Sequence, residues 1–258
     1  MSTNFWTKRV VDFGHTGWAD EAIYAFDQPI RIEIVDYLVK RFSKGGVLLD
    51  FGCGNGEFSN HEKKRFNKIV LYDTCKEVLA IASQLNSGAK CISNFNNLLE
   101  EKEKFNTILS ITVLQHILED TELDRVISFM SKKLADGGCI IVMEQFHSRK
   151  SEYIRSWNVE DLQNIFQKHG LKCVCSYNFY ENGIYKDPIF KKYYSRLDIY
   201  IFSHLYKRIP QFRKIFRRIL NFSAKKGKYS SDIKRFLFMF DNREGDKFLV
   251  FQKMKTEE

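Results

Sequence analysis

The sequence predicts an α/β protein built on a doubly wound sheet of parallel strands, with helices on both faces. Short apolar runs bounded by polar residues or glycine recur along residues 47–180, as is typical of buried parallel strands. Stretches with apolar residues at helical spacing separate these runs, and the connections are short. The chain has 258 residues, of which 44% are hydrophobic and only 3 are proline. This composition excludes a disordered or fibrous chain and suits one large domain.

The elements follow one another in a regular order. Residues 1–40 are predicted to be helical but irregular, because the glycine-flanked string 14–18 breaks the pattern, and we expect them to cover the strand ends. A glycine pair at 137–138 ends one helix, and Gly170 ends the next. Strands are expected over 47–50, 69–72, 107–111, 139–143, about 172–180 and 247–251, and helices over 76–85, 122–134 and 159–169.

Three parts are predicted from this order: a helical cover (1–40), a main domain (41–185 plus 240–258), and a helical insertion (186–239) before the last strand. The whole chain has a formal net charge of +9. Residues 186–235 contain 15 Lys or Arg and 3 Asp, so the rest of the chain is slightly acidic. Three interpretations of this basic, aromatic segment stay open: a substrate lid with solvated charges, a helix on an anionic membrane surface, or a grip on nucleic-acid phosphates.

The termini and the cysteines limit the class of protein further. Residues 1–9 lack the features of a secretory leader, and no apolar run is long enough for a membrane span. A cytoplasmic protein is therefore expected. The 6 cysteines include no CxxC pair, so we expect neither a disulfide framework nor a metal site.

The most informative motif is the glycine-rich turn DFGCGNG, Asp50 to Gly56, directly after the first strand. Glycines in such a turn permit positive φ and let a ligand approach the backbone at the carboxyl end of the strand. An NAD fingerprint would require glycine at the position of Glu57, and the Gly-Lys-Ser/Thr ending of a P-loop is absent. Both of these nucleotide-binding interpretations therefore fail.

This turn, with its strand acid before GxGxG, resembles the first motif of class I S-adenosylmethionine-dependent methyltransferases. Three further landmarks resemble the family in the right order: Asp73 after the second strand, and the stretches 105–116 and 134–141. The resemblance implies a Rossmann-like methyltransferase fold, an enzyme, and S-adenosylmethionine as the cofactor, with Asp73 on the ribose hydroxyls. It implies a cofactor site made of Asp50, Gly52, Cys53, Gly54, Gly56, Asp73, Thr74, Ser93, Asn94, Thr112 and Gln115.

The chain departs from the family pattern where the third strand ends. The family places there an Asp that binds the adenine amino group, whereas this chain has Ser93 and Asn94. We therefore expect a hydroxyl or an amide to make the adenine contact.

The acceptor side of the site is predicted from acid–base chemistry. A hydroxyl acceptor must lose its proton as it gains a methyl group, and a histidine near neutral pKa suits that role. Candidate catalytic groups lie at strand ends or in the cover: His116, His147, Glu144 and His15. Candidate substrate contacts in the cover are Trp18, Asp20 and Tyr24, and Tyr24 or Arg31 could also meet the cofactor carboxylate.

A weak overall resemblance to methyltransferases of surface-glycan pathways suggests the reaction. It implies O-methylation of a small polar, anionic or sugar-like acceptor, with bacterial surface polysaccharide biosynthesis as the setting. The alternatives are a lipid-linked or nucleic-acid acceptor, or a non-catalytic cofactor-binding protein on the same fold.

Overall fold

The computed structural model describes residues 3–17, 21–146, 152–178 and 246–254. The helices are α1 (Thr3–Phe13), α2 (Glu21–Phe42), α3 (Glu57–Glu62), α4 (Lys76–Leu85), α5 (Phe95–Leu99), α6 (Asp120–Lys133) and α7 (Val159–Lys168). The strands are β1 (Val47–Phe51), β2 (Lys68–Tyr72), β3 (Lys90–Ile92), β4 (Phe105–Ile111), β5 (Leu134–Gln145), β6 (Leu171–Asn178) and β7 (Asp246–Lys253). Single 3₁₀ turns follow α3 and β4, at Lys63–Arg65 and Leu114–His116.

One seven-stranded sheet organises these elements, in the order β3-β2-β1-β4-β5-β7-β6. Strands β1 to β5 pair in parallel, and β7 pairs antiparallel to β5. Asp50 lies opposite Leu71 of β2 and Leu109 of β4, so the carboxyl ends of the three central strands reach one edge of the sheet. The predicted doubly wound fold is confirmed.

The hydrophobic core consists of strand residues and of the apolar faces of the helices, whose residues recur at helical spacing. In α6 the buried residues include Leu123, Val126, Ile127 and Met130, as the periodicity predicts. In the same core cluster, Phe166 of α7 stacks on Phe251 of β7 with ring centroids 3.9 Å apart.

The boundary between α6 and β5 differs from the prediction. Leu134 was expected to end the helix, but its ψ of 129° is extended and it begins a strand of 12 residues. Its pairing with Phe105, beside an irregularity in the β4–β5 register, explains this earlier start. Gly137, with φ of 71°, lies inside the strand rather than in a turn before it.

The chain divides into two compact units. The larger consists of residues 1–16, 34–177 and 245–258 and contains the sheet. The smaller consists of 17–33 and 178–244, of which the structure describes mainly the first part of α2. The predicted insertion, 186–239, lies outside the described residues. Within the described part of the chain, no helix has the length and apolarity required to cross a membrane.

Candidate functional site

A cavity of about 540 Å³ lies at the carboxyl edge of the sheet, within the larger unit. Ligand pockets in proteins typically measure roughly 300 to 1,000 Å³. Strand ends, the loop after β4, and helices α1 and α6 contribute its walls. The lining residues are Trp6, Thr16, Phe51, Gly52, Tyr72, Asp73, Thr74, Phe95, Ile111, Thr112, Val113, His116, Ile117, Leu118, Glu119, Glu122 and Val126.

The glycine-rich turn after β1 forms the floor of this cavity. The backbone N–H groups of Gly52 and Cys53 donate to the Tyr72 carbonyl, at 2.7 and 2.9 Å. Gly52 and Gly54 have φ of 73° and 54°. A Cβ at Gly52 would lie 2.4 Å from a Val113 methyl carbon, and one at Gly54 would lie 2.5 Å from Thr16 Oγ1. At both positions a neighbouring side chain occupies the space that a Cβ would fill, so the packing and the positive φ both require glycine.

Asp73 presents a carboxylate to the cavity directly after β2. Its Oδ2 accepts the Gly54 N–H and its Oδ1 accepts the Cys75 N–H, each at 3.0 Å. Burial raises the pKa of Asp73, although these backbone donors oppose the shift. Because each carboxylate oxygen can accept more than one hydrogen bond, Asp73 retains capacity for the hydroxyl groups of a ligand.

Asp50 lies behind the turn rather than in the cavity wall. It is buried, and its Oδ2 accepts the Ser59 hydroxyl at 2.5 Å. Burial, with the nearby Asp73 carboxylate, raises the pKa of Asp50 to about 6. Among the other predicted residues of the turn, Cys53 is buried and Gly56 caps α3, with its carbonyl accepting Asn86 Nδ2–H at 3.0 Å.

Three aromatic rings form a wall that the sequence reasoning missed. Phe51 lies 4.8 Å from Tyr72 and 6.2 Å from Phe95, measured between ring centroids. All three rings line the cavity, so they offer flat apolar surface to a planar ligand. The aromatic content of the strand ends was the available signal, but each ring looked like ordinary core.

The two residues expected to contact adenine, Ser93 and Asn94, immediately precede a lining residue. The side chain of Asn94 accepts the Asn96 N–H at 2.8 Å and caps α5. Neither Ser93 nor Asn94 is a lining residue, whereas the next residue, Phe95, is one. The placement therefore favours Phe95 over its two polar neighbours.

The loop after β4 brings His116 to the cavity, and Glu144 holds this loop in place. Glu144 is buried in β5, and its carboxylate accepts the N–H groups of Val113, Leu114 and Gln115, at 2.9 to 3.2 Å. It does not line the cavity. This placement favours a structural role for Glu144 over the catalytic role that the sequence suggested.

Thr112 begins the same loop, and its backbone is strained. It has φ of 58°, unusual for a residue with a branched side chain, and its N–H donates to the Met143 carbonyl at 2.7 Å. Thr112 lines the cavity as expected for a cofactor contact. Gln115 does not: it is buried, and its amide is used inside the protein.

His116 contributes an imidazole ring to the cavity lining. Its Nδ1 lies 2.8 Å from the Tyr153 carbonyl, and its ring packs in a T-shaped arrangement with Trp6, with 5.2 Å between the centroids. Burial lowers the pKa of His116, so the ring is neutral near pH 7. A neutral imidazole can accept a proton.

Helix α1 supplies Trp6 by packing on α4. Val10 is buried against Cys75 and Val78, with Trp6 packed beside them. The Thr7 hydroxyl donates to Glu77 at 3.1 Å. The predicted N-terminal cover thus contributes to the site through α1.

The remaining predicted residues are placed as follows. His15 is buried next to Thr16 and is not a lining residue. Tyr24 is half-buried on α2, in the smaller unit. His147, Trp18 and Asp20 lie outside the described residues.

The charge of the described lining is negative. Asp73, Glu119 and Glu122 contribute carboxylates, and no Lys or Arg occurs among the lining residues in the part of the chain that the structure describes. Arg125 lies close to Glu122, at 3.5 Å, outside this lining.

Comparison with known proteins gives consistent matches. A family model described as a methyltransferase domain matches residues 24–176. A tRNA (carboxymethyluridine(34)-5-O)-methyltransferase of Schizosaccharomyces pombe is 26% identical over 121 residues, 45% of this chain and 51% of that protein. A ubiquinone biosynthesis O-methyltransferase of Pelagibacter ubique is 27% identical over 152 residues, 50% of this chain and 61% of that protein. The chain thus spans only about half the length of these relatives.

Solved structures share the fold at low sequence identity. Phosphoethanolamine N-methyltransferase 2 of Haemonchus contortus, in complex with S-adenosyl-L-methionine, has a TM-score of 0.54 at 17% identity, covering 99% of this chain and 60% of that one. CalS10, an amino pentose methyltransferase of Micromonospora echinaspora, has a TM-score of 0.51 at 14% identity, covering 61% and 88%.

Proposed function

Because the chain belongs to the methyltransferase-domain family and is an S-adenosylmethionine-dependent enzyme, we propose that it O-methylates a small, polar, sugar-like acceptor. The observation that carries this proposal is one cavity lined by both Asp73 and His116, whose pKa is lowered by burial. When bound, the cofactor supplies an electrophilic methyl group on a sulfonium sulfur. The protein's own residues bind, orient and accept a proton.

The cofactor half of the cavity fits this ligand. Gly52 lines the cavity without a side chain, and Asp73 can accept hydrogen bonds from ribose hydroxyls. The aromatic wall suits a purine ring. We assign the adenine to the wall made of Phe51, Tyr72 and Phe95.

The acceptor half is assigned to the surroundings of His116. The acceptor hydroxyl loses its proton to the imidazole while its oxygen gains the methyl group, and Trp6 offers an apolar face beside that point. Placing the hydroxyl behind the methyl group accounts for much of the expected rate increase, since orientation alone can be worth several orders of magnitude.

A neutral acceptor fits the described lining better than an anionic one. Its ionisable side chains other than His116 and Tyr72 are carboxylates, which repel phosphate or carboxylate groups. A role in surface polysaccharide biosynthesis is consistent with a neutral sugar. A nucleic-acid acceptor is the second candidate, because two relatives, 26% and 28% identical, are named as tRNA methyltransferases or a probable one.

Methyl transfer to a panel of acceptors should distinguish these two candidates. With labelled cofactor, we expect the labelled methyl group to be incorporated into neutral glycosides. The KM for such an acceptor should not depend on salt between about 50 and 300 mM, since salt screens only interactions between charges. A tRNA acceptor would instead give a KM that rises steeply with salt, as counterion release requires. Incorporation into tRNA alone would contradict the sugar-like acceptor and support the second candidate.

Cofactor binding tests the other half of the proposal. Asp73→Ala should weaken the binding of S-adenosylhomocysteine by about 1.5 to 3 kcal/mol, because charge-assisted hydrogen bonds to the ribose are lost. Calorimetry measures this, with Asp73→Asn as a variant that retains an acceptor oxygen for the turn. Asp136→Ala is the control, since Asp136 is an exposed carboxylate paired with Lys253 at 2.9 Å. Equal affinity of all these proteins would place the cofactor elsewhere.

A further inference from the structure

We infer that Gln115 is a positioning residue, which fixes the tautomer of His116 and leaves Nε2 as its basic atom. The inference rests on the proposed function, because a tautomer matters to the reaction only if His116 accepts the proton. It goes further by identifying which nitrogen accepts the proton and which side chain determines this. The sequence had placed Gln115 among the cofactor contacts.

The orientation of the Gln115 amide follows from its partner on β5. The Gln145 N–H lies 3.0 Å from Gln115 Oε1, and an N–H can only donate. The oxygen of the amide must therefore face Gln145. Its nitrogen, Nε2, then faces the ring of His116, 3.3 Å from His116 Nε2.

The tautomer of His116 follows from both of its neighbours. Nδ1 faces the Tyr153 carbonyl at 2.8 Å, and a carbonyl can only accept, so Nδ1 carries the hydrogen. Nε2 faces an amide N–H donor and therefore holds the lone pair. The two contacts are mutually consistent, and together they exclude the opposite tautomer.

Hydrogen bonds to the backbone of the loop fix the positions of Gln115 and His116. Glu144 accepts the Gln115 N–H, and the Arg155 N–H donates to the Gln115 carbonyl at 2.8 Å. The Arg155 guanidinium also donates from Nε to the Ile117 carbonyl at 3.0 Å. Both sides of the ring's attachment point are thereby fixed.

The charged groups around His116 act together with Gln115. Arg9 of α1 contributes to the lowered pKa of His116, after burial, whereas the contact with the Tyr153 carbonyl opposes it. Glu144 and Arg155 lie on the backbone side, where their charged groups are bonded to main-chain atoms. An amide that donates to Nε2 also favours the neutral ring.

The Gln115 contact is long enough to be displaced. At 3.3 Å it exceeds the usual N–H donor–acceptor distance of roughly 2.9 to 3.0 Å, so it is a weak hydrogen bond. A hydroxyl of the acceptor can therefore compete for the same lone pair. Gln115 keeps the lone pair oriented until the acceptor arrives.

Nitrogen NMR of histidine-labelled protein tests the inference without any assay of activity. In the unaltered protein we expect the His116 ring to carry its hydrogen on Nδ1. Gln115→Met removes the donor and should raise the pKa of His116, and Gln115→Glu should raise it further by placing a carboxylate at Nε2. Gln115→Glu also keeps an acceptor for Gln145, so one variant preserves that contact. The control is Gln167→Glu, the same change on the exposed face of α7.

Kinetics then separates this inference from the proposed function. The acid limb of the kcat profile should move to higher pH in the same order, with about a tenfold loss for each pH unit below the new pKa. The role of Gln115 would be overturned if the unaltered protein carried the hydrogen on His116 Nε2. It would also be overturned if the pKa of His116 were the same in the unaltered protein and in both Gln115 variants. If the pKa order is observed but kcat does not follow it, the tautomer control stands and His116 is not the base.

Discussion

His116→Asn should lower kcat by about 100-fold or more, the usual contribution of a positioned general base, while changing cofactor affinity by less than about twofold. Asparagine can still donate a hydrogen bond to the Tyr153 carbonyl from its side-chain amide, but it cannot accept a proton at neutral pH. The loss should therefore come from chemistry and not from the loop. Single-turnover kinetics with saturating cofactor measures it directly.

The pH profile provides a second measure of the same prediction. Since burial lowers the pKa of His116, kcat of the unaltered enzyme should decline only below pH 6.5, and this limb should be absent from the variant. His61→Ala is the matched control, because His61 is exposed and does not line the cavity. His15→Ala and His147→Ala complete the set of histidines suggested by the sequence. A variant of His116 with nearly full kcat would rule out its role as a base.

Asp50→Asn should make the ligand-free protein more stable at pH 7.5, by up to about 3 kcal/mol. The pKa of Asp50 is raised from 3.8 to about 6, and this difference corresponds to about 3 kcal/mol at 1.36 kcal/mol per pH unit. The folded state holds the proton more tightly than the unfolded state. The contribution of Asp50 to the free energy of unfolding is therefore fully present below pH 3.8. It is lost as the pH rises from 3.8 to about 6, and it stays constant above pH 6.

Urea unfolding at pH 7.5 and pH 5 tests whether Asp50→Asn increases the free energy of unfolding in this pH-dependent way. The advantage of Asp50→Asn should shrink to roughly half at pH 5, where protonation already relieves part of the cost. Asp136→Asn is the control: the Lys253 ammonium lowers the pKa of Asp136, so this variant should not become more stable at pH 7.5. A variant of Asp50 that is destabilised equally at both pH values would contradict the prediction.

The sequence was sufficient to predict which candidate site residues follow directly after strands. Asp50, the glycines and Asp73 follow parallel strands directly, and the register of β1 with β2 and β4 brings such positions to one edge. Two of the four landmarks that resemble the family, the turn Asp50 to Gly56 and Asp73, lie in this part of the chain. Each directly follows a short apolar strand, so the local pattern carries the information.

Contacts between distant segments were not predictable in the same way. The Glu144 carboxylate accepts backbone N–H groups of a loop about 30 residues earlier in the chain. No sequence pattern indicates which backbone donors a buried acidic residue in a strand will bind. Trp6 reaches the cavity only because α1 packs on α4. Of the two polar residues expected at adenine, Asn94 caps α5, a role that depends on where the helix begins and that the strand pattern did not indicate.

The carboxylates around the cavity have a consequence for the direction of ligand exchange. Methyl transfer turns the cofactor's sulfonium into an uncharged thioether, so the product carries one positive charge fewer than the cofactor. With the cofactor in the proposed site, Asp73, Glu119 and Glu122 would attract the incoming sulfonium and would lose that attraction after transfer. The carboxylates that would favour binding of the charged donor would therefore hold the product less tightly, and product release would be easier.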